Sequence, residues 1–165
     1  PVLGPDAYGI RLATATADFA KSSTDLVFIR LTVKGASGRV FGDTLYWHNW
    51  KDYMRYESLN LLPEVRLRAS VSPRSVVTGE IGRGNDRYTI TLSNPGSAPA
   101  VQTRIRTLSG ATNEDILPAF YSDNYFSLMP GESIAVTVEF SPEYLKGGRP
   151  VFELGGWNTK VERIQ

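Results

Sequence analysis

Alternation of apolar and polar positions is sharpest in the second half of the chain. Ile134, Val136, Val138 and Phe140 fall on one face, with Ala135, Thr137 and Glu139 on the other. This period of two marks a half-buried strand. Val65, Leu67, Ala69 and Val71 alternate in the same way with Arg66, Arg68 and Ser70, and Tyr88, Ile90 and Leu92 with Thr89, Thr91 and Ser93. Val101 and Ile105 alternate with Gln102, Arg104 and Arg106, and Pro150 to Leu154 supplies a last strand. Turn-forming clusters separate these runs at Pro73, Gly79 to Asp86, Asn94-Pro95-Gly96 and Ser109-Gly110, and 141–148 reads as one helical turn. Short strands punctuated this way, with no long helix, predict an all-β, antiparallel sandwich.

The first half is thinner. Leu26 to Lys34 alternates Val27, Ile29, Leu31 and Val33 with Phe28, Arg30, Thr32 and Lys34; Gly35 to Gly38 forms a turn and Arg39 to Trp47 returns. That is a β-hairpin. Tyr8 to Ala13 is a further candidate strand, followed by a small, polar run at 14–18. Residues 48–60 lack strand alternation and carry Asp52, Tyr53, Tyr56 and Leu59 at helical spacing, which predicts a linker with a short helical turn that Pro63 ends. The division that follows is 1–58 as a partial β-domain plus linker and 59–165 as the sandwich. Two or three strands fall short of the seven or so that a sandwich needs, so the first part is expected to be incomplete, with apolar faces and a sheet edge left open. The chain begins at Pro1, and it reads as an excised fragment.

The sandwich centres on Ala119 to Ser133, which carries Phe120, Tyr121, Tyr125 and Phe126 and ends in Pro130-Gly131. Proline presets φ at the first central position of a turn and glycine accepts φ > 0 at the second, which predicts a tight reversal into the strand that follows. Tyr121, Tyr125 and Trp157 could stack on pyranose rings, with Asp123 and Asn124 meeting hydroxyls. The competing reading is structural: in-and-out aromatic packing, with Asp123 and Asn124 both bonding the backbone where a strand begins. On that reading Asp123→Ala costs about 1 kcal/mol or more.

Phe-Tyr-Ser-Asp-Asn-Tyr-Phe-Ser-Leu-Met-Pro-Gly-Glu at 120–132 resembles a segment near the C-terminus of glycoside hydrolase family two enzymes, in the group of exo-β-D-glucosaminidases, β-mannosidases and mannosylglycoprotein endo-β-mannosidases. Gly156-Trp157-Asn158 resembles the close of the same domain there, and Ile29 to Val33 with Gly42 to Trp47 resembles the end of the domain before it. The resemblance implies an immunoglobulin-like sandwich and a non-catalytic, accessory role, packed against and supporting a catalytic barrel carried elsewhere in the parent. It implies the other domains of that hydrolase as partners, with Tyr121, Asp123, Asn124, Tyr125 and Trp157 as carbohydrate or domain-interface contacts, and a periplasmic or extracellular setting. A free-standing carbohydrate-binding or adhesion module of the same fold is the alternative.

Composition narrows the chemistry. A net charge of +1 favours neither nucleic acid nor an anionic membrane as partner, and no apolar run approaches the roughly 18 residues that span a bilayer. With no cysteine and His48 as the single histidine, neither Cys-based nor multi-histidine metal sites can form, and no cofactor is expected. Gly79, Gly82 and Gly84 match neither the dinucleotide nor the P-loop spacing and read as a hairpin loop. Arg66, Arg68, Arg104 and Arg106 could meet an anionic glycan, but such stripes are ordinarily the solvated face of a sandwich. Asn113-Glu114 resembles the acid/base pair of family two barrels yet lies in a polar loop without barrel strands, so no catalytic residue and no hydrolysis by this chain alone is expected.

Overall fold

The computed structural model describes residues 25–78 and 84–165. The chain divides into two compact units, Pro1–Ser58 and Leu59–Gln165. In the first, β1 (Leu26–Lys34) pairs antiparallel with β2 (Val40–Asn49) from Leu26 opposite Asn49 to Lys34 opposite Val40. The hairpin is as the alternation predicts, with the return running two residues past Trp47. Both faces carry apolar groups, and Leu31 and Val33 are 57% and 62% exposed. The candidate strand at Tyr8 to Ala13 lies outside the described residues.

The short helical turn expected within 48–60 forms at the end of that stretch and not over Asp52 to Tyr56. Asn49 Oδ1 accepts from the N–H groups of Lys51 and Asp52, and Asp52 Oδ1 from that of Met54. Side chains that satisfy the backbone locally in this way stabilise turns over helix. The helical element that does form is a 3-10 turn at Glu57–Leu61.

The second unit is a two-sheet sandwich. One sheet contains β3 (Arg68–Val71), β4 (Ser75–Thr78), β5 (Gly84–Ser93), β7 (Ala119–Tyr121) and β9 (Ser133–Phe140) in the order β3-β5-β9-β7, with β4 also on β5. The other contains β6 (Ala100–Ser109), β8 (Phe126–Leu128), β10 (Pro150–Gly155) and β11 (Glu162–Ile164) in the order β11-β10-β6-β8. Every strand pairing is antiparallel. Ile90, Leu92, Val136, Val138 and Phe140 from one sheet meet Ile105, Phe152 and Leu154 from the other in a continuous core closed by Val65, Leu67, Ile116, Leu128 and Leu145. Tyr88 lies against both Phe140 and Phe152, with ring centroids 5.9 and 5.4 Å away. The helical turn expected within 141–148 is present as Pro142–Leu145.

Local expectations are revised at several points. The stretch read as turn from Gly79 to Asp86 ends earlier, because β5 begins at Gly84 and pairs with the unanticipated β4; Gly79 and Gly82 lie outside the described residues. Asp86 is buried in β5, with Oδ1 2.6 Å from an Arg74 guanidinium nitrogen. A register shift between Ala100 and Thr103, with Gln102 at φ 51, brings Ala100 into the core cluster with Ile105, while Val101 is also fully buried but lies outside that cluster. Such a bulge adds one residue and inverts the alternation before it. Lastly, β11 was not foreseen, since three residues offer too short a period to recognise.

The Pro130-Gly131 turn forms as predicted. Glu132 N–H donates to Met129 O at 3.0 Å and Gly131 sits at φ +81, where a side chain would strain the backbone. However, the strands it joins, β8 and β9, belong to different sheets, so the turn is a corner of the sandwich and not a hairpin. Buried Asn94 anchors this corner, donating through Nδ2 to Ala98 O and Leu128 O while its backbone exchanges bonds with Gly131 and Glu132.

Candidate functional site

The chain from β7 to β8 must leave one sheet and join the other, and the sequence Ser122-Asp123-Asn124 makes the crossing. Ser122 holds the first sheet: its N–H donates to Thr137 O and its Oγ accepts from Thr137 N–H, both at 2.9 Å. Asn124 holds the second, where Oδ1 accepts from Ile105 N–H and Nδ2 donates to Ile105 O, again at 2.9 Å. The amide thus replaces a strand partner one step beyond the Thr103–Phe126 pair. Asp123 lies exposed between them and makes no hydrogen bond or ion pair with the described residues. The expectation that both side chains bond the backbone therefore holds for Asn124 alone, because the apex of a crossover faces solvent.

Asn124 Oδ1 also accepts from Tyr125 N–H at 3.0 Å, and Tyr125 sits at φ 58 with 58% of its surface exposed. A left-handed tyrosine is costly, and the Asn124 amide is what holds it. Beside it lies an open hollow of about 210 Å3 lined by Arg104, Arg106, Thr107, Asp115, Tyr121 and Asn124, among others. Tyr121 and Thr107 share a hydroxyl hydrogen bond of 2.7 Å, and burial pushes the Tyr121 phenol above its ordinary range. Arg106 is committed: it donates to Asp115 at 2.7 and 3.0 Å and to Glu153 at 2.8 Å.

Trp157 lies elsewhere. It lines a second hollow, of about 270 Å3, with Leu59, Asn60, Leu62, Glu64, Asn158 and Thr159. Its backbone N–H donates to Val101 O at 2.9 Å, and its neighbour Asn158 is a structural clip. Asn158 Oδ1 accepts from Val101 N–H, while Nδ2 donates to Pro63 O and Pro99 O, at 2.8–2.9 Å. Glycine is required at 156, where a Cβ would come within 2.9 Å of Thr159 Oγ1 and 3.0 Å of two carbonyl oxygens. The structure thus brings Tyr121, Asn124 and Tyr125 to one hollow and Trp157 to another. Sequence reasoning missed Asn60 and Glu64, whose only signal was their place beside Leu61-Leu62-Pro63 before the first strand of the sandwich.

Glycoside cleavage needs one carboxyl held neutral to serve as general acid. Among the described residues, the Lys146 ammonium holds Glu114 below its ordinary value, Arg106 holds Asp115, Arg163 and then Arg106 hold Glu153, and backbone bonding holds Glu57. A general acid for this chemistry needs the opposite shift. Of the arginine stripe, Arg66 pairs with Glu162 at 2.9 Å and Arg106 is held as described.

Residues 44–159 match the model of the exo-beta-D-glucosaminidase Ig-fold domain. An exo-beta-D-glucosaminidase of Hypocrea jecorina is 26% identical over 174 residues, which covers 95% of this chain and 17% of that protein. A mannosylglycoprotein endo-beta-mannosidase of Lilium longiflorum is 49% identical over 47 residues, 28% of this chain and 5% of that protein. The crystal structure of the Amycolatopsis orientalis exo-chitosanase CsxA superposes with a TM-score of 0.71 at 22% identity, over 86% of this chain and 18% of that one. The chain therefore spans under a fifth of the length of these proteins, and the immunoglobulin-like fold is shared.

Proposed function

Because the chain belongs to the Ig-fold domain family of exo-beta-D-glucosaminidases, we propose that it is a non-catalytic accessory region of a larger family two glycoside hydrolase acting on β-D-glucosaminides. The observation that carries this reading is the family match over 44–159 within a chain that aligns to only 17% of an exo-beta-D-glucosaminidase. Its role there is structural support: the sandwich packs against the catalytic barrel and offers Tyr121, Asp123, Asn124, Tyr125 and Trp157 to a neighbouring domain or to glycan. Exposed rings at Phe120, Tyr125 and Trp157, each more than half accessible, supply such a contact surface. Residues 1–58 are then the end of a preceding immunoglobulin-like domain, a reading supported by the exposed apolar positions of the β1–β2 hairpin.

The test compares this chain with its parent on p-nitrophenyl β-D-glucosaminide. The parent is expected to turn the substrate over and the chain to show none above buffer. Turnover by the chain, lost in Glu114→Gln, would overturn the accessory assignment. A second reading, a parent acting on β-mannosides, is favoured by the 47-residue likeness to the endo-beta-mannosidase; the nitrophenyl β-mannoside run in parallel decides between them.

A further inference from the structure

The hollows beside Tyr125 and Trp157 differ in charge. The one beside Tyr125 is lined by Arg104 and Arg106, and its single carboxylate, Asp115, is neutralised by Arg106. The one beside Trp157 has Glu64 as its only charged lining residue, and among the described residues Glu64 makes no ion pair. At about 270 Å3 it is close to the lower end of the range for small-ligand sites. Trp157 is 55% exposed, although its backbone is pinned to β6 and both its neighbours are fixed, Gly156 by close packing and Asn158 by three side-chain hydrogen bonds. A pinned backbone fixes where the indole emerges and reduces the ordering that binding must supply, and the indole face suits both the C–H surface of a sugar and a cation.

We infer that the hollow between Trp157 and Glu64 binds an amino-sugar unit of a β-glucosaminide chain, the indole stacking on the pyranose and the Glu64 carboxylate pairing with the ammonium group. Asn60 supplies an amide for ring hydroxyls on the same wall. The site rests on the proposed glucosaminidase reading for its ligand and contributes no chemistry; it holds part of the polymer away from the point of cleavage. The arginine-lined hollow repels the same cation, which is why the assignment goes to Trp157 and not to Tyr125.

The test is titration of the chain with three tetramers, of β-1,4-linked glucosamine, of its N-acetylated form and of glucose, at about pH 5.5, where the amine is protonated. The glucosamine tetramer is expected to bind best, to change the indole fluorescence and to weaken with salt. Trp157→Ala should lose at least tenfold in affinity for the glucosamine tetramer. Glu64→Gln should lose about tenfold for that tetramer and leave the other two unchanged, with the unfolding midpoint of both variants intact. In the parent, Trp157→Ala should raise KM for the tetramer by a larger factor than KM for the nitrophenyl monosaccharide; equal factors for the two overturn the site. Failure of the chain to bind while the parent cleaves glucosaminides overturns this inference and leaves the functional reading standing. Trp157-dependent binding that favours the neutral tetramer, with a parent inactive on glucosaminides, overturns both. Binding that survives Trp157→Ala, or a Glu64→Gln loss common to all three sugars, overturns the site as drawn.

Discussion

Strands β1 and β9 carry the same alternation of apolar and polar residues and end in opposite environments. On β9, Val136, Val138 and Phe140 have no exposed surface, whereas on β1 Leu31 and Val33 remain more than half exposed. The difference lies in partners. Strand β9 runs between β5 and β7 beneath a second sheet, while among the described residues β1 pairs with β2 alone. Two strands alone are marginal at best, and three or more with a covered face are needed for independent stability. Alternation therefore states that a face is built for burial; whether this chain supplies the cover is a separate question.

The contrast is broken or kept most clearly by truncation. Phe152 is 1% exposed and packs on Tyr88, so Phe152→Ala is expected to cost about 3–5 kcal/mol. Val33→Ala, at 62% exposure, should stay within about 0.5 kcal/mol. Urea midpoints of the two variants measure both. Equal losses would mean that the hairpin face is packed as tightly as the core.

Next in size is the Asn158 clip. Asn158→Ala removes three side-chain hydrogen bonds and leaves the Val101 N–H and two proline carbonyls to find other partners, for an expected loss of about 2–3 kcal/mol. The crossover gives a smaller and more diagnostic pair. Asn124→Ala should cost about 1–2 kcal/mol, because Ile105 loses both its bonds. Asp123→Ala should stay within about 0.5 kcal/mol. A larger loss at Asp123 than at Asn124, read from thermal melts, would reverse the roles drawn for the crossing.

These residues also show what was legible beforehand. Strand positions and the inward faces of β5 and β9 were readable, since period-two alternation encodes burial directly. The Pro-Gly turn was readable for a similar reason, because its residues fix the local dihedrals. Which strands the turn joins was not, because a tight turn serves equally a hairpin or a corner between sheets. Asn124 and Asn158 were singled out, but their partners are Ile105 and residues 63, 99 and 101, and no local pattern reports contacts so far along the chain. The same holds for the hollow at Trp157, whose walls come from 59–64 and 157–159.

Acid should loosen the sandwich through the Arg106 network. Asp115 and Glu153 are held below their ordinary values of 3.8 and 4.5 by Arg106 and Arg163. A carboxylate depressed in the folded state stabilises fully above its unfolded value and loses that contribution as pH falls through the folded one. The melting temperature is therefore expected to be flat from neutral pH down to about 4.5 and to fall below it, with Arg106→Gln flattening part of the acid limb. The effect is modest, because solvent screens such pairs. An acid limb unchanged in Arg106→Gln would remove the network from the account of stability.

The smallest effect in this chain carries the most about its context. Leu31→Thr puts a β-branched residue of high strand propensity in place of leucine and exchanges apolar surface for a small hydroxyl, so it reports chiefly the burial of this position. At 57% exposure the change should shift the stability of the chain by no more than about 0.5 kcal/mol. In the parent, where the preceding strands of an immunoglobulin-like domain are proposed to cover this face, the same substitution should cost about 1–3 kcal/mol, the range for burying such a side chain. Urea denaturation of both proteins, followed through the unfolding phase of that domain, gives the difference. A loss above about 1 kcal/mol in the chain itself would place the cover within residues 1–58 and make the first unit a complete domain. A parent as indifferent as the chain would show that the face of β1 stays open to water, and the open sheet would then need a partner outside the polypeptide.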